Sequence, residues 1–286
     1  VVSGVVIAML MGAGPAGAVI IESGDGTGNT TAPPDDPGWN NVAYRGRRSA
    51  VYLGDRWVIT ARHVGPGDIV IDHRNYNLVR DSPVVLTNED GTQTDLVLFR
   101  INRAPPLPSL KISESTPAAF TPLILIGKGL GRGAPFWFYG FSGFRWDGQA
   151  PMRWGTSVVS PRLAFGSVDD TEVFAARFSI AGSEHEAIAS RGDSGGAAFV
   201  RGADRWELAG ILLAVGSYAG QPPRTAVYGN QTYIGDLSVY RDQIHRIMQG
   251  LPEPRPDPGS DAGADAGSDG GLDGGLDGEA EPEDSP

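Results

Sequence analysis

An all-β fold of the sandwich or barrel class is predicted for this chain by three observations. Short apolar or alternating runs, many of them β-branched, recur at close spacing from about Ala43 to Ser238. Gly, Pro, Asp and Asn bound those runs, and 41 glycines and 22 prolines in 286 residues make turns frequent and helices few. Helical spacing of apolar residues is confined to one short stretch near the end.

The elements follow in order. The first eighteen residues, VVSGVVIAMLMGAGPAGA, form an apolar run that closes on Ala16-Gly17-Ala18, an A-x-A cleavage pattern. They are expected to be the remnant of a secretory signal, which makes the protein secreted, extracellular or of the cell envelope. Four glycines and a proline in that run argue against a stable membrane span. Glu22 to Gly38, rich in Gly, Thr, Pro and Asp, is an irregular lead-in. Strand-like runs then follow, among them SAVYLG, RWVITA, DIVI, PVVL and DLVLFRI. The Pro-rich stretch Ala104 to Pro108 is read as a hinge between two β units, at about 38–108 and 120–235. PLILIG, TSVVS, EVFAARFSI, GAAFV and WELAGILLAV make up the second. Tyr240, Ile244, Ile247 and Met248 line one face of a helix at about 236–249, which the prolines from 252 onward are expected to stop.

Composition narrows the function. The chain has 40% hydrophobic and 20% charged residues, enough for one large core or two small ones. It contains no cysteine, so disulfides and thiolate metal sites are excluded. The net charge of −11 is concentrated in residues 251–286, which carry eleven acids against Arg255. The part before that tail is close to neutral, which gives no electrostatic case for a nucleic-acid partner. The tail spaces Asp among Gly, Ala, Ser and Leu without the ligand pattern of an EF-hand loop, and is expected to be a disordered spacer. A monomer is expected.

Three islands carry chemistry: Trp57-Val-Ile-Thr-Ala-Arg-His63-Val, Thr94-Asp95-Leu-Val-Leu-Phe-Arg-Ile101, and Arg191-Gly192-Asp193-Ser194-Gly195-Gly196. Acyl transfer needs a nucleophile, a base to take its proton, and a group that fixes the base's tautomer. Ser194, His63 and Asp95 supply these roles, each at the edge of an apolar strand. Their chain order, His then Asp then Ser, belongs to one of the known triads. Asp72 and Asp81 are the alternative acids. Glycines around Ser194 allow a tight turn that aims the N–H groups of Gly192 and Ser194 at a developing oxyanion.

These islands resemble the chymotrypsin/trypsin family of serine peptidases. TARHV (60–64) is similar to the family's TAAHC segment, TDLVLFRI (94–101) to its DIALLKL segment, and GDSGG (192–196) is its nucleophile motif unchanged. The likeness extends more weakly over about Val42 to Gln249. GILLAVG (210–216) is similar to the strand walling the specificity pocket, and 236–249 to the terminal helix. The resemblance implies two antiparallel six-stranded β-barrels with a short C-terminal helix and the active site between them, in a domain spanning about 19–250. It further implies cofactor-free, metal-free hydrolysis of peptide bonds in a protein or peptide substrate, by a cysteine-free bacterial member. Departures sharpen the expectations. Val64 and Ser190 stand where the family has cysteines, so both of those disulfides are lost. The pocket strand becomes Ala214-Val215-Gly216, or a variant one residue longer. In the family, the Asp before the nucleophile pairs with a newly freed amino terminus. Asp193 is that residue, and Val19-Ile20-Ile21, after the signal, is the candidate terminus.

The family's pocket base lies six residues before the nucleophile, here Ile188. An aliphatic base cannot pair a buried Lys or Arg, so cleavage after apolar or small residues is expected. Glu184, Glu186 and Gln231 are the alternative pocket groups, and Arg191 is placed on the rim. Two other readings of function remain. Gly192-Asp-Ser-Gly-Gly196 also fits G-x-S-x-G, but an α/β-hydrolase esterase needs a helix after the serine and a later His, and only His245 follows. A catalytically inactive binding protein on the same scaffold typically lacks a triad residue, and all three are present. The aromatic stretch Phe136 to Trp146 is expected in the barrel core and a packed loop, the alternative being an exposed rim.

Overall fold

A computed structural model describes the backbone of residues 5–9 and residues 19–46, 48–149, 151–161 and 166–251. The rest of the first eighteen residues and the acidic tail from Pro252 lie outside the described residues, as do the expectations placed on them. Two short strands come first, β1 (Val5–Met9) and β2 (Ile20–Ile21), and a 3-10 turn at Trp39–Asn41 leads into the first sheet. That sheet comprises β3 (Val42–Arg45), β4 (Arg48–Gly54), β5 (Trp57–Ala61), β6 (Ile69–Ile71), β7 (Arg74–Tyr76), β8 (Val84–Thr87) and β9 (Gln93–Arg100). Its order is β7-β6-β3-β4-β5-β9-β8. An isolated bridge between Leu78 and Ile101 draws the chain after β7 to the chain after β9, so the sheet curls on itself.

Strands of the second half are β10 (Pro122–Gly127), β11 (Leu130–Phe138), β12 (Phe141–Gln149), β13 (Arg153–Val159), β14 (Gly166–Val168), β15 (Thr171–Arg177), β16 (Ala187–Ile188), β17 (Ala197–Arg201), β18 (Trp206–Tyr218), β19 (Thr225–Val227) and β20 (Gln231–Asp236). Six of them close a ring, β10-β13-β15-β20-β18-β17 and back to β10, with antiparallel pairing throughout. The second barrel therefore has six strands, whereas the first is a seven-strand path closed by one bridge.

Continuous apolar runs arise because both faces of these strands are covered. Along β9, Leu96 and Leu98 enter the cluster shared by the two halves, together with Leu213, Tyr233, Leu237 and Tyr240. Phe99 and Ile101 turn instead into the first sheet's own core with Tyr52, Val58 and Ile71. Leu125, Phe174, Leu212 and Ile234 fill the ring. Four hairpins turn on two residues that both have positive φ: Asp55-Arg56, Asp72-His73, Tyr139-Gly140 and Asp169-Asp170. That pattern matches the twist of the flanking strands, and Asp tolerates the left-handed region better than most side chains.

Helix α1 (Leu237–Gln249) buries Leu237, Tyr240 and Ile244. Asp236 caps its start, accepting from Ser238 N–H at 2.9 Å. Its end is set by Gly250 at φ 68°, two residues ahead of the first proline expected to stop it; Leu251 N–H bonds the Arg246 carbonyl at 2.9 Å. No helix among the described residues is long and apolar enough to cross a membrane.

The aromatic stretch departs from expectation. β11 and β12 form a hairpin in a separate three-stranded sheet with β19, leaving Trp137, Tyr139 and Phe141 exposed. Only its base is core, where Phe144 is buried under Arg132. The helix-after-serine arrangement of an esterase is also absent, since the chain after Ser194 enters strand β17, and His245 lies in α1.

Candidate active site

His63 stands in a turn just after β5, closed by Val64 N–H to the Ala61 carbonyl at 3.0 Å. Asp95, in the neighbouring strand β9, is 6% exposed and holds this turn twice. One carboxylate oxygen accepts His63 N–H at 2.8 Å, and the other lies 2.6 Å from His63 Nδ1. A carboxylate only accepts, so Nδ1 carries the proton and Nε2 presents its lone pair. Nε2 is buried without a hydrogen-bond partner. Asp95 is itself fixed by its backbone, N–H to Thr171 Oγ1 at 2.6 Å and carbonyl from Arg62 N–H at 2.9 Å. Asp72 and Asp81, the other acids considered, are exposed.

Ser194 is 3% exposed, and its hydroxyl donates to the Leu213 carbonyl at 3.4 Å. That carbonyl is available because β18 bulges between Leu212 and Ala214. The bulge puts Leu213 and Ala214 in the same apolar cluster. Two consecutive residues tie the halves of the site together. Arg48 Nη1 donates to the carbonyls of Val64 at 3.0 Å and His63 at 3.4 Å, while Ser49 N–H donates to the Ser194 carbonyl at 3.1 Å.

The turn before Ser194 is closed by Asp193 N–H to the Ser190 carbonyl at 3.1 Å, with Gly192 at φ 102°. A side chain at Gly192 would be strained there. Among the described residues, the N–H groups of Gly192 and Ser194 have no acceptor. Asp193 is fully buried. Its carboxylate accepts from Gly129 N–H at 2.6 Å, Ser190 N–H at 2.7 Å and the Ser190 hydroxyl at 3.0 Å. Burial pushes Asp193 up to about 7, against the opposing pull of Ser190, Gly129 and Arg153. A Cβ at Gly127 or Gly129 would strike this carboxylate. Asp193 thus has partners within the chain, while Val19 to Ile21 are buried, with β2 paired to β16.

Of the expected pocket residues, Ile188 is fully buried on β16 and shares the ring's apolar cluster with Ala189, Val215, Phe178 and Val19. Ala214, Val215 and Gly216 are buried on β18. Val215 pairs with Thr232 across the ladder, and Thr232 Oγ1 accepts Ala189 N–H at 3.0 Å. Gln231 pairs with Gly216, and its Oε1 is buried without a partner. Glu186 is buried, but its carboxylate is taken up by its own loop, through Ser179 N–H at 2.8 Å and Ser183 N–H at 3.2 Å. Glu184 is exposed, and the Arg191 guanidinium is half-buried with Nε unmatched. Arg48, Ser49 and Thr171 escaped the sequence reading, because their contacts join segments that carry no shared motif.

This geometry agrees with what comparison with known proteins finds. The trypsin family profile matches residues 27–236. Among solved structures, the chain is similar to neuropsin, a serine protease expressed in the limbic system of mouse brain. The TM-score is 0.53 at 18% identity, over 77% of this chain and 98% of neuropsin. At that identity the likeness carries the fold. No curated protein matches the chain by sequence. With the family match spanning most of its length, the chain belongs to the trypsin family and is a serine endopeptidase.

Proposed function

We propose that His63, Asp95 and Ser194 hydrolyse peptide bonds through an acyl-enzyme, with the N–H groups of Gly192 and Ser194 as the oxyanion hole. The observation that carries this reading is the 2.6 Å contact between Asp95 and Nδ1, which leaves the Nε2 lone pair buried and unmatched. The Ser194 hydroxyl turns from the Leu213 carbonyl to Nε2, and its oxygen bonds the scissile carbonyl carbon as Nε2 takes the proton. The carbonyl oxygen, now anionic, meets two unpaired N–H donors. Collapse breaks the C–N bond, and Nε2 returns the proton to the leaving amine. Water then attacks the acyl carbon by the same route and restores the serine. A fluorophosphonate probe, which reacts with an activated serine, should label the protein but not its Ser194→Ala variant. Absence of labelling favours an inactive binding protein.

The same reading assigns an apolar or small residue before the scissile bond, and Val215 and Thr232 favour the small end of that range. Their side chains share one face of the β18-β20 ladder, where Thr232 Oγ1 also accepts the Ala189 N–H, and on this reading a larger substrate side chain would meet them. Mass spectrometry of a digested peptide library decides it; dominant cleavage after Lys or Arg rejects the assignment. The run before Val19 is read, on sequence, as an export signal whose loss frees the edge of β18. Amino-terminal sequencing of protein recovered from culture medium tests that point.

A further inference from the structure

Strand β18 has an edge that accepts another strand. Val5–Met9 lie antiparallel to it, Met9 opposite Ala214 and Val5 opposite Tyr218. One end of this edge is catalytic, since Leu213, next to Ala214, receives the Ser194 hydroxyl. The other end is aromatic. The Tyr218 ring stacks on Phe141 with centroids 4.6 Å apart and planes 20° from parallel. Phe141 opens the return strand of the β11–β12 hairpin, whose tip reads Phe136-Trp-Phe-Tyr-Gly-Phe141. Trp137 is 67% exposed and Tyr139 84% exposed.

Single exposed aromatics need no explanation, but several on one projecting tip form a patch of the kind that binds something. The patch is built. The Arg145 guanidinium covers Phe136 at 4.8 Å, Phe138 meets Tyr139 edge-on at 4.6 Å, and β12 is anchored to β19. Whatever adds to β18 as a strand reaches the aromatic pair at its far end. The segment seated there in this chain is itself apolar in sequence, VVIAM.

We propose that the aromatic tip is an extended substrate surface, which grips apolar side chains about five residues before the scissile bond while the peptide backbone pairs along Ala214–Tyr218. The proposal rests on the peptidase reading and narrows its substrates to extended polypeptides with aliphatic or aromatic residues at those positions. A strand rises about 3.3 Å per residue, so a substrate with only two or three residues before the bond stops short of Tyr218.

The test compares the chain with its Trp137→Ser/Tyr139→Ser variant on two peptides, one with three residues before the bond and one with eight, apolar at the distal positions. The ratio of kcat/KM, long over short, should fall about tenfold in the variant, chiefly through KM. An unchanged ratio overturns the proposal. In the Ser194→Ala background, the same two substitutions should weaken binding of the long peptide about tenfold, and equal affinity overturns the proposal. Failure of the parent chain to cleave either peptide rejects the peptidase reading, while the binding measurement still decides the platform. Loss of phosphatidylcholine vesicle binding with undiminished peptide binding would reassign the tip to membranes. Tyr139→Ser alone, at the most exposed position, guards against a folding defect and should give part of the loss.

Discussion

The two halves of the site are finished to different degrees. In the first sheet, Asp95 has both carboxylate oxygens, its N–H and its carbonyl engaged, and His63 lacks a partner only at Nε2. In the ring, Ser194 has a long hydroxyl contact at 3.4 Å, and among the described residues two donors are left open, the N–H of Gly192 and, two residues on, of Ser194. His63 is held in one orientation, whereas the turn at Ser194 keeps two N–H donors free, which the proposed mechanism uses for a charge that exists only during reaction. Unpaired polar groups in a buried site cost stability. In the proposed mechanism these are the groups that would bind the transition state more tightly than the substrate.

The largest test breaks the comparison at its centre. Ser194→Ala, His63→Ala and Asp95→Asn should each lower kcat/KM about 10⁴-fold, and double variants should lose little more, since the three act as a unit. Asp95→Asn with near-normal turnover on a peptide substrate would falsify the claim that the first sheet supplies the oriented base.

The next effect lies in the ring. Each oxygen of the Asp193 carboxylate accepts a backbone N–H, from Gly129 and from Ser190, so an Asn there turns its NH₂ toward another N–H. Asp193→Asn should misplace the Gly192 N–H and lower kcat on the order of 10²-fold. The wild-type residue also links stability to pH. Its folded value, about 7, lies above the unfolded carboxylate value of about 3.9. Its contribution is therefore fully present below the unfolded value and is lost as pH rises through about 7. Urea midpoints between pH 5 and 8 should fall with rising pH in the wild type relative to Asp193→Asn. A flat difference would mean that the three donors keep Asp193 ionised throughout.

How the halves are fastened comes third. Where cysteines are missing, polar clamps stand: Arg48 on the carbonyls of His63 and Val64, and Ser190 between Asp193 and the Leu130 carbonyl at 2.6 Å. Arg48→Met keeps the apolar stem and removes the clamp. It should cost about 1–2 kcal/mol of stability, as for a lost charged hydrogen bond, and up to about tenfold in kcat/KM. Unchanged turnover with normal melting would show that Asp95 alone positions His63.

Much of this was legible in the sequence where the signal is local. The three islands proposed to carry catalysis lie on contiguous motifs, and helix α1 shows its period in Tyr240 and Ile244. Features built from register and distant pairing were not. The bulge at Leu213 depends on how β18 aligns with β20, and Thr171 meets Asp95 across 76 residues. Burial preference misled at Trp137 and Tyr139, because a hairpin can carry apolar residues beyond the core that composition alone would assign them to. The prolines behind α1 are the conspicuous stop in the sequence, but Gly250, a glycine directly after the last periodic residue, is the nearer signal and is the one that ends the helix.

The smallest expected effect concerns which substrates the ring admits, and it separates specificity from catalysis. Ile188→Asp, the obvious change at the expected pocket base, is a poor probe. Ile188 is fully buried among Val19, Ile20 and Ala189, and an unpaired carboxylate there would unfold the ring before it selected a substrate. Val215→Ala is the cleaner change, because it removes two methyl groups on the pocket strand and leaves the backbone edge and the Thr232 bond to Ala189 intact. The extra space should raise kcat/KM for Leu before the scissile bond relative to Ala by roughly tenfold, the scale of one or two methylenes in an apolar pocket. Labelling by a fluorophosphonate should hardly change, since no donor or member of the triad moves. If the Leu-to-Ala ratio stays put, Val215 does not border the substrate side chain. Gln231, with its buried and unpartnered Oε1 opposite Gly216, then becomes the residue to replace.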